Sequence, residues 1–380
     1  MPWNSSRGPS IPMPSSHKAH HGGDRHLKGD GHLHLSLLRR RRWLFLALAG
    51  ALLLVTATLG MAWGAVSIPP GAVVRIVGRH MGAAGPADWP PAWETILLQV
   101  RLPRVVLAGL VGITLAVAGA VYQAIFRNPL AEPYLIGVSS GASFGATLAI
   151  VLVWRFGGGG WNGVSLAAFV GALAATGAIY SLARVGGRTP VTTLILAGVA
   201  VNALLSAATV FLMFSVQDAF RAMHVLGWLM GSLALADWEK ARVVLPYVVG
   251  GLAVIGGYAH TLNVLQLDEE QAQSLGVAVE RTKGILILAV SLATAAAVSV
   301  SGTVGFVGLI VPHIVRLAWG PDHRFLLPMS GAVGAIALIL ADGAARTAFT
   351  PRELPLGVVT AVVGAPFFLY LLRRQKREVF

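Results

Sequence analysis

The sequence predicts an all-α, polytopic membrane protein with ten transmembrane helices. Three observations carry that prediction. Of the 380 residues, 55% are hydrophobic and only 12% are charged, where soluble domains carry about 25%. The mean hydropathy is +0.71. The apolar residues also fall into long charge-free stretches, each of a length suited to a bilayer span of about 20 residues. The chain contains no cysteine, which excludes disulfides, thiolate nucleophiles and cysteine-ligated clusters. The formal net charge of +13 is of the kind that often marks nucleic-acid binding. Here the basic residues flank apolar runs, as the positive-inside rule describes, so a lipid bilayer and no nucleic acid is the expected environment.

Residues 1–38 are rich in Ser, Pro, Gly and His and read as a disordered cytoplasmic tail. His17, His20, His21, His26, His32 and His34 lack the rigid spacing that fixes a coordination geometry, so no metal site is expected there. The remainder, 39–380, reads as one transmembrane domain. Arg39 to Arg42 precede a charge-free stretch from Trp43 to Val74, too long for the apolar core of a signal peptide. Further charge-free stretches follow at 105–126, 133–154, 156–183, 189–217, 243–267, 284–315, 325–341 and 354–372. The stretch 284–315 exceeds one span, and Ser299-Val300-Ser301-Gly302-Thr303 breaks it into spans near 284–300 and 305–318. Ten spans place both termini on one side. Arg373, Arg374, Lys376 and Arg377 make that side cytoplasmic. Arg101, Arg104, Arg221 and Arg346 then fall on the outer side, against the charge rule. Small residues four apart, Gly112/Ala116/Ala120 and Gly141/Gly145, predict close helix packing.

Catalytic signatures are absent. No Walker A loop and no His-Glu-x-x-His occurs. Gly-x-Ser-x-Gly occurs at 137–141 and 141–145, but inside an apolar span, not on the strand-to-helix turn a nucleophile elbow needs. The spans hold almost no ionisable residues beyond Asp342 and His313, which disfavours an ion-coupled secondary transporter. A soluble partner should therefore supply the energy. Leu267 to Gly276 reads as a short helix with Asp268, Glu269 and Glu270 in its first turn and a glycine C-cap, and Val277 to Lys283 as a second short turn.

The tracts Arg101-Leu102-Pro103-Arg104, Phe126-Arg127-Asn128-Pro129-Leu130-Ala131-Glu132-Pro133, Leu135-Ile136-Gly137-Val138-Ser139-Ser140-Gly141-Ala142 and Leu194-Ile195-Leu196-Ala197-Gly198-Val199 occur in this order. After them come Glu270-Gln271-Ala272-Gln273-Ser274-Leu275-Gly276-Val277, Gly305-Phe306-Val307-Gly308-Leu309-Ile310-Val311-Pro312-His313 and Glu353-Leu354-Pro355-Leu356-Gly357-Val358-Val359-Thr360. Together they resemble the iron–siderophore, haem and vitamin B12 permeases of type II ABC importers, over about residues 45–372. The resemblance implies a non-enzymatic permease subunit in the bacterial inner membrane, paired with a second copy of itself. It further implies two cytoplasmic ABC ATPase subunits that bind ATP and Mg, and a periplasmic substrate-binding protein. No cofactor is expected on this chain.

Site roles follow from the resemblance. Arg101, Arg104 and Arg346 match positions that dock glutamates of the binding protein, a task suited to a guanidinium fork. The segment 267–283 matches the coupling helices that meet the ATPase, with Glu269, Glu270, Ala272, Leu275 and Gly276 as contacts. Asn128, Leu130, Val191 and Thr192 match a cytoplasmic gate. Leu226 to Leu233 looks like a short outer helix at the mouth of the path. Its Met230-Gly231-Ser232-Leu233 wording is nearest to haem permeases, with ferric siderophore and cobalamin as alternative cargoes. Arg221 could then meet haem propionates and His224 the iron, and Ser139, Ser140 and Asn202 would line the path.

Overall fold

The computed structural model describes residues 24–64, 66–83, 87–156, 161–216 and 218–378. The chain divides between Phe45 and Leu46 into two compact units. The second unit carries everything described below except the first part of α1. In chain order the helices are α1 (Asp24–Ala62), α2 (Pro70–His80), α3 (Pro91–Thr95), α4 (Leu102–Ile125), α5 (Val138–Phe156), α6 (Trp161–Ala183), α7 (Val191–Phe214) and α8 (Ala219–Leu229). They continue with α9 (Trp238–Gly257), α10 (Ala259–Leu265), α11 (Glu269–Ser274), α12 (Val279–Ser301), α13 (Val307–Trp319), α14 (His323–Thr347) and α15 (Leu356–Glu378). A π-helical turn, Ile96–Arg101, joins α3 to α4, and a 3-10 turn, Pro133–Ile136, precedes α5.

Among the described residues, 7 helices are long and apolar enough to cross a membrane: α1, the continuous α3–α4 rod, α6, α7, α9, α12 and α14. Three shorter apolar segments, Val138–Leu152, Val307–Trp319 and Leu356–Tyr370, complete the set. They coincide one for one with the ten stretches legible in the sequence. Of the expected tail, residues 1–23 lie outside the described residues. Helix α1 begins at Asp24, so residues 24–38 are helical where disorder was expected. A helix already nucleated by an apolar span extends by one hydrogen bond per added residue and needs no second nucleus.

Helix α4 is the axis of the bundle. The apolar window of its rod is 78% buried, against 17% for α7 and 22% for α1. It packs on α14, α13, α12 and α9. Glycine makes the closest approaches possible. A Cβ at Gly112 would strike the carbonyl of Gly334 on α14, and one at Gly119 the carbonyl of Gly308 on α13. With no hydrophobic drive inside lipid, such backbone contact holds helices together.

The predicted break between α12 and α13 is present. Gly302 (φ 66°) and Phe306 (φ 70°) bracket it in left-handed backbone. Irregular backbone at membrane depth needs internal hydrogen-bond partners: the Val304 carbonyl and N–H pair with the Tyr134 hydroxyl at 2.8 and 2.9 Å, and the Phe306 N–H donates to Glu132 at 2.9 Å. The Ser232 N–H donates to the Ser301 carbonyl at 2.8 Å, and the Leu356 and Gly357 N–H groups donate to Gly231 and Met230 carbonyls at 2.9 and 3.0 Å. This corrects the expected helix at 226–233. Helix α8 ends at Leu229, because Gly231 turns left-handed (φ 74°) and its carbonyl serves the start of α15.

Candidate functional site

Three groups of residues gather the chemistry of the chain. At one end of the bundle the last turn of α1, the start of α4, the end of α14 and the loop before α15 share an ion network. The Arg104 guanidinium donates to both Asp342 carboxylate oxygens at 2.9–3.0 Å and to both Glu353 oxygens at 3.1 and 2.9 Å. Arg346 meets Asp342 at 3.1 Å and donates to the Gly60 carbonyl at 2.9 Å. Arg101 donates to the carbonyls of Met61 at 2.7 Å and Ala62 at 3.0 Å, and also to that of Val66.

All three arginines are buried, at 5–8% exposure. The three arginines expected to dock a binding protein are thus engaged within the single chain, each guanidinium donating to three or more acceptors. A guanidinium taken out of water must be paired where it lies. Glu353, with a side chain 39% exposed, is the accessible member of the network. The sequence marked Asp342 as a rare carboxylate within a span, but nothing in it named Arg104 as its partner.

At the other end, α11 presents the expected acidic loop. The Gly276 N–H bonds the Gln273 carbonyl at 2.9 Å and the Val277 N–H bonds the Ala272 carbonyl at 3.1 Å. These are the two bonds of a Schellman cap, with Gly276 left-handed at φ 83°. Of the five expected contacts, Glu270, Leu275 and Gly276 are exposed. Glu269 is half-buried, with a side chain 38% exposed, and Ala272 faces the interior. Ala272 is fully buried, and Glu269 accepts from Lys283 at 2.6 Å and lies 3.8 Å from Arg127. Arg127 also donates to Asp268 at 2.9 Å. The expected second short turn is the first part of α12, which runs unbroken from Val279.

The gate residues sit on two elements at this same end. Asn128 and Leu130 lie between α4 and the 3-10 turn, where the Asn128 side chain accepts from the Leu130 N–H at 2.9 Å. Val191 and Thr192 open α7 after Pro190. Next to this loop Glu132 accepts from the Phe306 N–H at 2.9 Å, capping α13 across the chain. Burial raises the Glu132 carboxyl above its ordinary value, and the Phe306 hydrogen bond only partly opposes that.

The residues expected along the path divide between two cavities. Ser139, Ser140 and Asn202 meet in a cavity of about 380 Å³, together with Ser143, Ser206 and Thr209. The Ser140 hydroxyl donates to the Asn202 side-chain carbonyl at 2.5 Å, and the Asn202 amide donates to the Tyr134 and Leu135 carbonyls at 3.4 Å. The cavity offers neutral hydrogen-bonding groups from α5 and α7, and no charged side chain lines it. His224 lines a different cavity of about 340 Å³. Arg221 lines neither cavity and lies 3.3 Å from Asp218. Sequence reasoning placed Arg221 and His224 on the same path as the serines, and the fold separates them.

Residues 52–374 match the profile of the FecCD transport family. The chain is 50% identical over 291 residues to the cobalamin import system permease protein BtuC of Halobacterium salinarum, covering 76% of each chain. It is 42% identical over 319 residues to the hemin transport system permease protein HmuU of Yersinia pestis, covering 80% of this chain and 93% of that one. A solved structure described as an inward-facing conformation of a metal-chelate type ABC transporter superposes with a TM-score of 0.75 at 32% identity. The match covers 87% of this chain and 99% of the other.

Proposed function

The chain belongs to the FecCD transport family, and from that premise we propose that it is the permease of an ATP-driven importer that passes a bulky, metal-centred macrocycle through the serine–asparagine cavity. Cobalamin is the first reading of the cargo. The cavity carries the argument: neutral donors and acceptors suit the amide-fringed rim of a corrinoid, and the 50% identity to a cobalamin permease agrees. Haem is the second reading, favoured by the 42% identity to a hemin permease and the Met-Gly-Ser-Leu wording at 230–233. It loses support from Arg221, which is held by Asp218 and lies off the cavity.

The exposure of α7 supports alternating access in a homodimer. Its apolar window is only 17% buried, and Leu204 and Phe211 are 69% and 74% exposed. Covering this face with a second copy would place the two serine–asparagine cavities on a shared path. ATP hydrolysis belongs to a separate cytoplasmic ATPase that meets the exposed Glu270, Leu275 and Gly276. Both termini face the cytoplasm, and a substrate-binding protein approaches the end that carries Glu353. The rival reading, an ion-coupled transporter, needs a titratable carboxylate within the spans. Asp342 is the carboxylate within a span, and it is paired with Arg104 at 2.9 Å and Arg346 at 3.1 Å.

The deciding experiment is uptake into liposomes holding this chain with its ATPase and binding protein, offered cobalamin, haem and a ferric siderophore in parallel. Cobalamin uptake that needs ATP and falls several-fold in Asn202→Leu, with the ATPase still co-purifying, is the expected result. Uptake of haem alone would select the second reading. Uptake driven by a proton gradient without ATP would overturn both.

A further inference from the structure

Between the ends of α6 and α12, on the membrane face read above as cytoplasmic, lies a cavity of about 410 Å³ that the transport reading leaves unused. Its upper wall is basic. Arg184 and Arg281 line it, both exposed, and among the described residues neither has an acidic partner. Gly187 closes the wall from a tight hairpin in which Val185 and Arg188 exchange backbone bonds of 2.9 and 3.1 Å. Gly186 and Gly187 (φ 60° and 81°) give the turn its type I′ geometry. The lower wall is apolar. Gly284 leaves room beneath the Tyr180 hydroxyl, and Leu288, 66% exposed, continues the wall toward the bilayer centre.

The acidic residue of the lining, Glu280, is already engaged. Its carboxylate accepts from the Thr189 N–H at 2.8 Å and from Lys283 at 3.4 Å. The cavity therefore pairs two uncommitted guanidinium groups at headgroup depth with an apolar slot at acyl depth, between spans that end at Ala183 and begin at Val279. A soluble anion would use the first feature only, whereas an anionic phospholipid uses both.

We propose that this cavity is a binding site for one anionic phospholipid, its phosphate held by Arg184 and Arg281 and an acyl chain laid along Leu288. The inference is independent of the cargo, and in symmetric bilayers it is independent of which face is cytoplasmic.

The absence of cysteine makes the test specific. A fluorophore on Leu288→Cys is the sole thiol label in the purified chain. It is quenched in bilayers by acyl-brominated phosphatidylglycerol or, separately, by acyl-brominated phosphatidylcholine. The expected preference for phosphatidylglycerol is roughly fivefold per arginine, and it disappears when Arg184→Gln and Arg281→Gln are added. A label at Leu166→Cys, near the far end of α6, shows no preference. Leu182→Cys, 64% exposed beside the cavity, repeats the measurement should the first label disturb the fold. Equal quenching by the two lipids at both labels would overturn the proposal. So would release of the preference by excess inorganic phosphate, which would mark a free-anion site. A double variant that keeps the preference but no longer retains the ATPase would likewise overturn it and give the arginines to that partner.

Discussion

Arg104 and Asp342 are joined by three hydrogen bonds of 2.9–3.0 Å, although 238 positions separate them in the chain. The pair locks the start of the central helix α4 to the end of α14, and its geometry is that of a planar fork gripping a carboxylate from one side.

Removing one partner of a buried pair leaves the other charged and stranded, a loss of roughly 3–5 kcal/mol. Asp342→Ala leaves Arg346 without a carboxylate and Arg104 with Glu353 alone, and should lower the thermal midpoint of the purified chain in detergent markedly. Arg104→Lys should also destabilise, because an ammonium lacks the planar fork that grips Asp342 and Glu353 together. A midpoint within a degree of the parent for Asp342→Ala would show that the network contributes nothing to stability.

Glycine positions on α4 and α9 should respond oppositely to one methyl group. At Gly119 the added Cβ has no space before the Gly308 carbonyl, whereas at Gly250 nothing lies within 4 Å. Gly119→Ala should sharply reduce the yield of monodisperse protein. Gly250→Ala should match or exceed the parent, by up to about 1 kcal/mol from helix propensity. Size-exclusion profiles of the two variants decide the matter.

The coupling surface is tested at Leu275, which is 64% exposed and ends α11. Leu275→Asp should leave the thermal midpoint unchanged and abolish retention of the ATPase on affinity purification. Glu269→Gln should instead lower stability, since it leaves the buried Lys283, whose side chain is 4% exposed, with the longer Glu280 contact as its one carboxylate.

Glu132 predicts a pH dependence. Its carboxyl is raised by burial above the ordinary value of 4.5, so the folded state disfavours the ionised form. The stability linked to this group is complete below the ordinary value and is lost as pH rises through the raised one. Glu132→Gln still accepts from Phe306 but never ionises. Its stability relative to the parent should be nil near about pH 4 and positive near about pH 8. A gain that grew toward acid instead would reverse the assignment.

Hydropathy made the spans legible because a bilayer imposes length and apolarity on each segment separately. The break at 302–306 and the left-handed Gly276 were likewise readable, since glycine serves there as local punctuation. What stayed hidden was pairing between distant elements. Nothing near Arg104 announces Asp342 or Glu353, and nothing near Ala272 or Glu269 says which side of a one-turn helix faces inward. The path residues show the same limit. Ser140 and Asn202 could be nominated separately, while the separation of Arg221 and His224 from them depends on where α8 ends.

Screening by dissolved salt acts unequally on the two ends of the bundle. Ions reach exposed charges, and in about 0.1 M salt their field fades over about 10 Å. The Arg127–Asp268 pair, with side chains 35% and 77% exposed, lies open to that screening, whereas Arg104 and Asp342, at 8% and 2%, do not. Rising ionic strength should therefore loosen the loop at α11 while leaving the far rim rigid, so that salt alone makes one face of the protein softer than the other.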